Sequence, residues 1–212
     1  MTLAVTTTPH ELTVDLNTIR HVALRPGPEF TDEDFFHFCQ EHELLRIERS
    51  ADGEIFVMAP VGTEGGGIEY DVAGEFRNWT RRDRRGRGFG PNAGITLPDG
   101  SAFSPDVFWV PAEVWKAVPG SQRRKFAQLI PPFVIEIRSP TDRIKDLHEK
   151  MLIYVRNGVE LGWLIDPISR TVRIYRQNEP FVELDNPSRV EGEGPVSGFV
   201  LDLKQIYDEL DA

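Results

Sequence analysis

Sulfur is scarce in these 212 residues, with one cysteine and three methionines. A lone cysteine, Cys39, can close no internal disulfide and can form no structural zinc site with cysteine partners. It reads as a small apolar residue between Phe38 and Gln40. The five histidines, His10, His21, His37, His42 and His148, show no HExxH or other close ligand spacing, which argues against a histidine-based zinc site. No apolar run approaches the ~18 residues of a membrane-spanning helix. The opening MTLAVTTTPHELTVDL lacks the basic start and apolar block of a secretory signal. These absences together predict a soluble, cytoplasmic protein, and 40% hydrophobic residues leave enough material for a packed core.

Basic charge is the next deficit. Lys and Arg total 24 against 34 Asp and Glu, a formal net charge of −10. Phosphate contacts supply most non-specific affinity for nucleic acid, so overall acidity weighs against a protein that grips duplex DNA by charge alone. Local patches matter more than the sum, however. Arg77, Arg81, Arg82, Arg84, Arg85 and Arg87 crowd one short segment with only Asp83 opposing, and Arg123-Arg124-Lys125 follows later. Both patches suit a solvated surface as readily as a polyanion.

Residues 1–28, rich in Thr and Pro and without a period, read as an irregular arm, and residues 29–212 as one α/β domain. Thr31 is an N-cap candidate before the acidic turn Asp32-Glu33-Asp34, with Phe35, Phe38, Cys39 and His42 at helical spacing. Leu44 to Arg49 and Glu54 to Met58 flank Ala51-Asp52-Gly53 as a β-hairpin. Gly65-Gly66-Gly67 reads as a flexible lead into a helix from Ile68 to Arg82, whose Ile68, Val72, Phe76 and Trp79 share one stripe. GTEGGG lacks the Gly-Lys-Ser/Thr ending of a phosphate loop. Gly94 to Leu97 and Val107 to Val110, around a Pro98-Asp99-Gly100 turn, predict a second strand pair. Phe133 to Arg138 predicts a strand covered on both faces. A helix from Asp142 to Asn157 follows, with Ile144, Leu147, Met151 and Tyr154 inward and Gly158 as its C′ residue. Strands at Leu161–Ile165 and Thr171–Tyr175 flank an Asp166-Pro167 turn. A strand from Phe199 to Leu203 and a short helix close the chain.

No Ser, His and Asp set sits in a nucleophile-elbow context, so the carboxylates carry the stronger signal. Glu136 interrupts an apolar strand, where an ionised carboxylate needs a partner. Strand alternation puts Arg138 on its face, so one solution is a Glu136–Arg138 ion pair. The other is a divalent cation, with Arg138 reserved for a different anion. Asp106 leads into the apolar strand Val107 to Val110, and a carboxylate at the mouth of each of two adjacent strands suits a hard ion such as Mg²⁺. Lys150 borders the apolar stripe of the next helix and can snorkel toward the end of the Glu136 strand. Equally, it can join Arg143 and Asp146 on a salt-bridged solvent face. Glu69, in the first turn of the arginine-rich helix, favours the helix dipole whatever its function.

The series Ser104-Pro105-Asp106, FVIEIRSP from Phe133 to Pro140, Lys150 within HEKMLIYVRNGVELGWLIDP, and GFVLDL from Gly198 to Leu203 resembles the Uma2 family of restriction endonuclease-like proteins, from about Glu29 to the last helix. The resemblance implies a PD-(D/E)xK nuclease fold, a mixed β-sheet flanked by helices with added β-hairpins and one Mg²⁺-dependent site at the sheet's edge. On that pattern Asp106 is the Asp of the PD motif and Glu136 the acidic residue of (D/E)xK. Arg138 stands where the general motif has Lys, and Lys150 matches a lysine that family members carry on the next helix. Glu69 matches an acidic residue on the first core helix of related nucleases. The implied site holds Mg²⁺ or Mn²⁺ with Asp106, Glu136, the Ile137 carbonyl and Glu69. Lys150 then positions or deprotonates water, and Arg138 holds a phosphate oxygen. Arg77 to Arg87 become the nucleic-acid face, with DNA as the implied substrate. Because arginine cannot readily pass a proton, a non-cleaving module that binds nucleic acid or protein is the alternative. A homodimer is also implied, with Trp109, Trp115 or Trp163 as interface candidates, although large aromatics more often fill cores.

Overall fold

A computed structural model describes residues 2–7, 10–15, 22–27, 29–58 and 60–211, so His21 lies outside the described residues. The chain groups into two compact units, Met1–Pro60 with Asp99–Phe103, and Val61–Pro98 with Ser104–Ala212. In chain order the first unit contributes β1 (Thr2–Thr7), β2 (His10–Asp15), β3 (Val22–Leu24), α1 (Asp32–Glu41), β4 (Arg46–Arg49) and β5 (Ile55–Met58). The second begins with α2 (Thr63–Asp83), β6 (Gly86–Phe89) and β7 (Ile95–Thr96), and β8 (Ala102–Phe103) returns to the first. The remainder is β9 (Val107–Pro111), α3 (Ala112–Ala117), β10 (Ala127–Gln128), β11 (Phe133–Ile137), α4 (Ile144–Arg156), β12 (Leu161–Asp166), β13 (Thr171–Arg176), β14 (Val182–Asp185), β15 (Arg189–Glu191), β16 (Val200–Asp202) and α5 (Leu203–Leu210). Among the described residues no helix is long and apolar enough to cross a membrane.

In the first unit the stretch expected to be irregular contains strands: β1 pairs antiparallel with β2, and β3 with β5. The expected hairpin of β4 and β5 is present, with Ile47 opposite Val57. Thr31 caps α1 in a capping box with Asp34, as the acidic first turn indicates. Cys39 is half-buried, and burial pushes its thiol up to about 12, so it is no nucleophile at neutral pH.

The second unit is built on a six-stranded sheet in the order β14-β13-β12-β11-β9-β6. Here β9 runs antiparallel to both β6 and β11 instead of pairing with Ile95–Thr96, which lies parallel to β10. Val107 to Val110 are buried throughout, and such a strand needs a partner on each edge. The helix α2 begins at Thr63, so the three glycines lie inside it instead of ahead of it. Each costs about 1 kcal/mol relative to alanine in a helix interior, so packing of Ile68 and Val72 must hold that turn. Phe76 stacks on Phe133 of β11, their ring centroids 5.6 Å apart. One face of the sheet is thereby closed by α2 and α5. Trp109 (4% exposed) and Trp163 (0%) sit in this core, which removes both as interface residues.

Candidate active site

The central strand β11 gathers the candidate residues because of its neighbours and its alternation. It runs antiparallel to β9, with Ile135 opposite Val107, and parallel to β12, with Glu136 opposite Leu164. Phe133, Ile135 and Ile137 join the core against α2. Val134 and Glu136 therefore take the other face, where α4 packs. Gly162 of β12 lets that helix close in: a Cβ there would sit 2.4 Å from Met151 Cε. The end of α4 is set by Gly158 at φ +107, the C′ position expected of a glycine.

On α4, Lys150 and Tyr154 are one turn apart and point the same way. The Lys150 ammonium lies 2.9 Å from Glu136 Oε1, and the Tyr154 hydroxyl donates to the same oxygen at 2.7 Å. Glu136 is 2% exposed, and a carboxylate so far from water is held ionised only by partners such as these. Asp106, also 2% exposed, immediately precedes β9 and accepts the Ile137 backbone N–H at 2.7 Å through Oδ2. The two carboxylates thus end neighbouring strands on one side of the sheet. Lys150 joins them, not the Arg143 and Asp146 surface.

Arg138 does not pair with Glu136. Its Nη1 donates to Asp166 Oδ2 at 2.8 Å and its Nε to the Asp142 carbonyl at 3.4 Å. Asp166, 3% exposed, also accepts the backbone N–H groups of Ile168 and Ser169 at 3.1 Å each. Arg138 therefore pins the loop leading into α4 to the end of β12, two strands' ends fastened by one guanidinium. Parallel pairing with β12 places Asp166 at this position, which sequence adjacency alone does not show.

Glu69 lies in the second turn of α2, not the first, because the helix starts earlier than its apolar stripe; Glu64 is the acidic residue of the first turn. It rides on the helix covering the opposite face of β11 from Glu136. Among the described residues no three His, Cys, Asp or Glu side chains group as metal ligands. The donors at hand are two carboxylates beside the Ile137 main chain. They fit Mg²⁺ or Mn²⁺ in kind, since Mg²⁺ commonly takes one or two carboxylates and keeps several waters.

The arginine segment is spread over three elements and exposed. Arg77, Arg81 and Arg82 lie on α2, and Arg84 caps it in the left-handed region at φ 61. Arg85 is tied to Asp83 at 2.7 Å and to the Ser197 carbonyl at 3.0 Å, and Arg87 stands on β6. Register separates this cluster from the carboxylates: Arg87 is opposite Val110, whereas Asp106 precedes the other end of β9. Four residues of strand place them on the order of 13 Å apart along the sheet. Sequence reasoning missed two members of the polar constellation, Tyr154, read only as an apolar-stripe residue, and Asp166, read only as a turn. The i, i+4 spacing of Lys150 and Tyr154 was the available signal for the first.

A family model described as "Putative restriction endonuclease", that of Uma2, matches residues 32–204. Among solved structures, the chain is similar to a crystal structure described as "a putative nuclease belonging to DUF820" from Anabaena variabilis. That likeness has a TM-score of 0.63 at 24% identity, over 77% of this chain and 90% of the other, and it supports the mixed α/β nuclease-type fold. A comparison with curated proteins gave no match. With most of its length matched and the motif residues in order on one sheet end, the chain belongs to the Uma2 family.

Proposed function

We propose that Asp106, Glu136 and Lys150 form a metal-dependent phosphodiesterase centre that cuts DNA internally. The observation that carries this reading is the Lys150 ammonium at 2.9 Å from a buried Glu136, beside an Asp106 fastened to the next residue's backbone. Asp106, Glu136 and the Ile137 carbonyl would hold Mg²⁺ or Mn²⁺. When bound, the ion lowers the pKa of a water ligand and neutralises charge on the phosphate.

The chain's own groups supply the rest. Asp106 and Glu136 present oxygens from neighbouring strand ends, held by the Ile137 N–H, Lys150 and Tyr154 instead of by solvent, so little reorganisation accompanies the reaction. Lys150 holds a proton at Nζ and can exchange it, which arginine cannot do at any working pH. Attack of water on phosphorus forms one P–O bond as the bond to the leaving oxygen breaks. The proton lost by water and the proton gained by the leaving oxygen balance, and Lys150 is placed to handle one of them.

One observation favours a second reading, a nuclease fold that binds nucleic acid or protein without cutting it. Arg138, at the motif's lysine position, is committed to Asp166 and is no longer a ready phosphate ligand. Nicking of supercoiled and branched DNA with Mg²⁺ or Mn²⁺ decides between the two. Wild type should nick, and Asp106→Asn should not. The metal should also raise the wild-type melting temperature, an increase lost in Asp106→Ala and in Glu136→Ala. Absence of wild-type cleavage with either ion hands the lead to the non-cutting reading.

A further inference from the structure

We infer that the second unit carries a docking surface for the nucleic-acid backbone, away from the carboxylates, where its two basic segments meet on Trp115. In the sequence these segments are far apart. In the structure the Arg87 guanidinium lies 5.6 Å from the Trp115 ring centroid and that of Arg123 lies 5.2 Å from it. Arg87 also covers Phe89 at 5.3 Å, and Phe89 packs on Trp115 at 4.9 Å and on Phe108 at 4.6 Å. The rings form a shelf on β6, β9 and α3 that holds both cations without a carboxylate.

Arg123 is set in place by donating to the carbonyls of Val118 and Lys116, both at 2.8 Å. Arg84, Arg124 and Lys125, within three residues of one or other of the pair in the sequence, are exposed. In the segments that build the shelf, acid is sparse: Asp83, already bound to Arg85, and Glu113. A chain with a net charge of −10 thus gathers cations at one place. Like charges held together repel one another, and a polyanion relieves that cost.

The geometry favours phosphates over bases. Two guanidinium groups already lie over the indole, so a base stacking on that ring would have to displace one. Phosphate contacts of this kind position a nucleic acid without reading its sequence. The shelf is on the order of 13 Å along β9 from Asp106. That span equals about four steps of 3.4 Å on one DNA strand. The surface concerns retention, not scission, and it stands whether or not the chain cuts.

The test is fluorescence anisotropy with a labelled 30-mer, single-stranded and duplex, in EDTA between 50 and 200 mM salt. Wild type should bind with a strong salt dependence, and similarly for two unrelated sequences. Arg87→Gln with Arg124→Gln should weaken binding about tenfold at low salt and reduce the slope of log K against log salt by about 2. Arg189→Gln, an exposed arginine on β15 outside both basic segments, should keep the wild-type slope. Should Arg87→Gln disturb the ring packing, Arg84→Gln with Arg124→Gln, both exposed, gives the same reading. No wild-type binding, or an unchanged slope in both double variants, overturns the inference. So does a wild-type dimer in sedimentation that the double variants dissociate while leaving DNA binding intact, because the surface then pairs copies of the chain.

Discussion

Glu136 and Asp166 are buried carboxylates on neighbouring parallel strands, 2% and 3% exposed, yet they are satisfied in different ways. Asp166 is bound by an arginine and two backbone N–H groups, all from the loops it fastens. Such a set is rigid, and its guanidinium stays charged at every working pH. Glu136 is bound by a lysine and a tyrosine on one helix, both of which can give up or exchange a proton. The difference teaches where chemistry can occur: the first pair locks the scaffold, and the second keeps a transferable proton beside a hard oxygen donor.

The largest effect should come from removing the ammonium. Lys150→Met is expected to reduce plasmid nicking by about 10²–10⁴-fold, the usual loss when a positioned proton-transfer group goes. It should also destabilise the fold by about 3–5 kcal/mol, because Glu136 stays buried without its cation. Glu136→Gln combined with Lys150→Met should recover most of that stability, measured by urea midpoint, and none of the nicking. Nicking by Lys150→Met at the wild-type rate would break the comparison.

Asp166→Asn is the matching change at the other pair. Loss of the carboxylate should cost about 3 kcal/mol, since Arg138 is largely buried and keeps its charge. Nicking per folded molecule should fall far less than in Lys150→Met. A fall as large as that of Lys150→Met, with the urea midpoint unmoved, would return Arg138 to the reaction.

These two pairs also mark how far sequence could be read. The β11 strand, its flanking prolines and the buried Glu136 were legible because period-two alternation and a lone carboxylate in an apolar run are local signals. The α4 stripe was legible for the same reason, as was Gly158. Lys150 had a further cue: it is one of only five lysines in a chain with 19 arginines. The partner of Arg138 was not legible, because it depends on the parallel register of β12, 28 residues away. Nor was β6, whose GRGF carries no strand pattern; close packing of Gly86 on Trp109, where a Cβ would lie 2.4 Å from the indole, requires the glycine. The start of α2 was hidden by three glycines that tertiary packing overrides.

Gly162→Ala should produce a smaller effect on the same site. The added methyl meets the tip of Met151, a flexible side chain, so a cost of about 1 kcal/mol is expected. Because Met151 is next to Lys150 on α4, nicking should fall more than the melting temperature suggests. A variant with wild-type nicking and stability would show that α4 has slack the structure does not display.

The last comparison sets two buried tyrosines side by side, and its Tyr207 arm carries the smallest effect. The Tyr154 hydroxyl donates to Glu136, so Tyr154→Phe should cost about 1.5–3 kcal/mol, the range for a hydrogen bond to a charged group. The Tyr207 hydroxyl is buried with no hydrogen-bond partner, so Tyr207→Phe should be neutral or slightly stabilising. Burial pushes Tyr207 up to about 12 from its ordinary value of 10. Between these values the unfolded chain has lost the phenolic proton and the folded one keeps it. Stability must therefore fall as pH rises through that window. Tyr175, also raised by burial, acts with the same sign, so the difference between wild type and Tyr207→Phe isolates one group. Thermal melts from pH 9 to 12 should show the variant losing less stability than wild type. Parallel curves would mean that Tyr207 ionises in the folded protein as readily as in water, and that its hydroxyl has a partner after all.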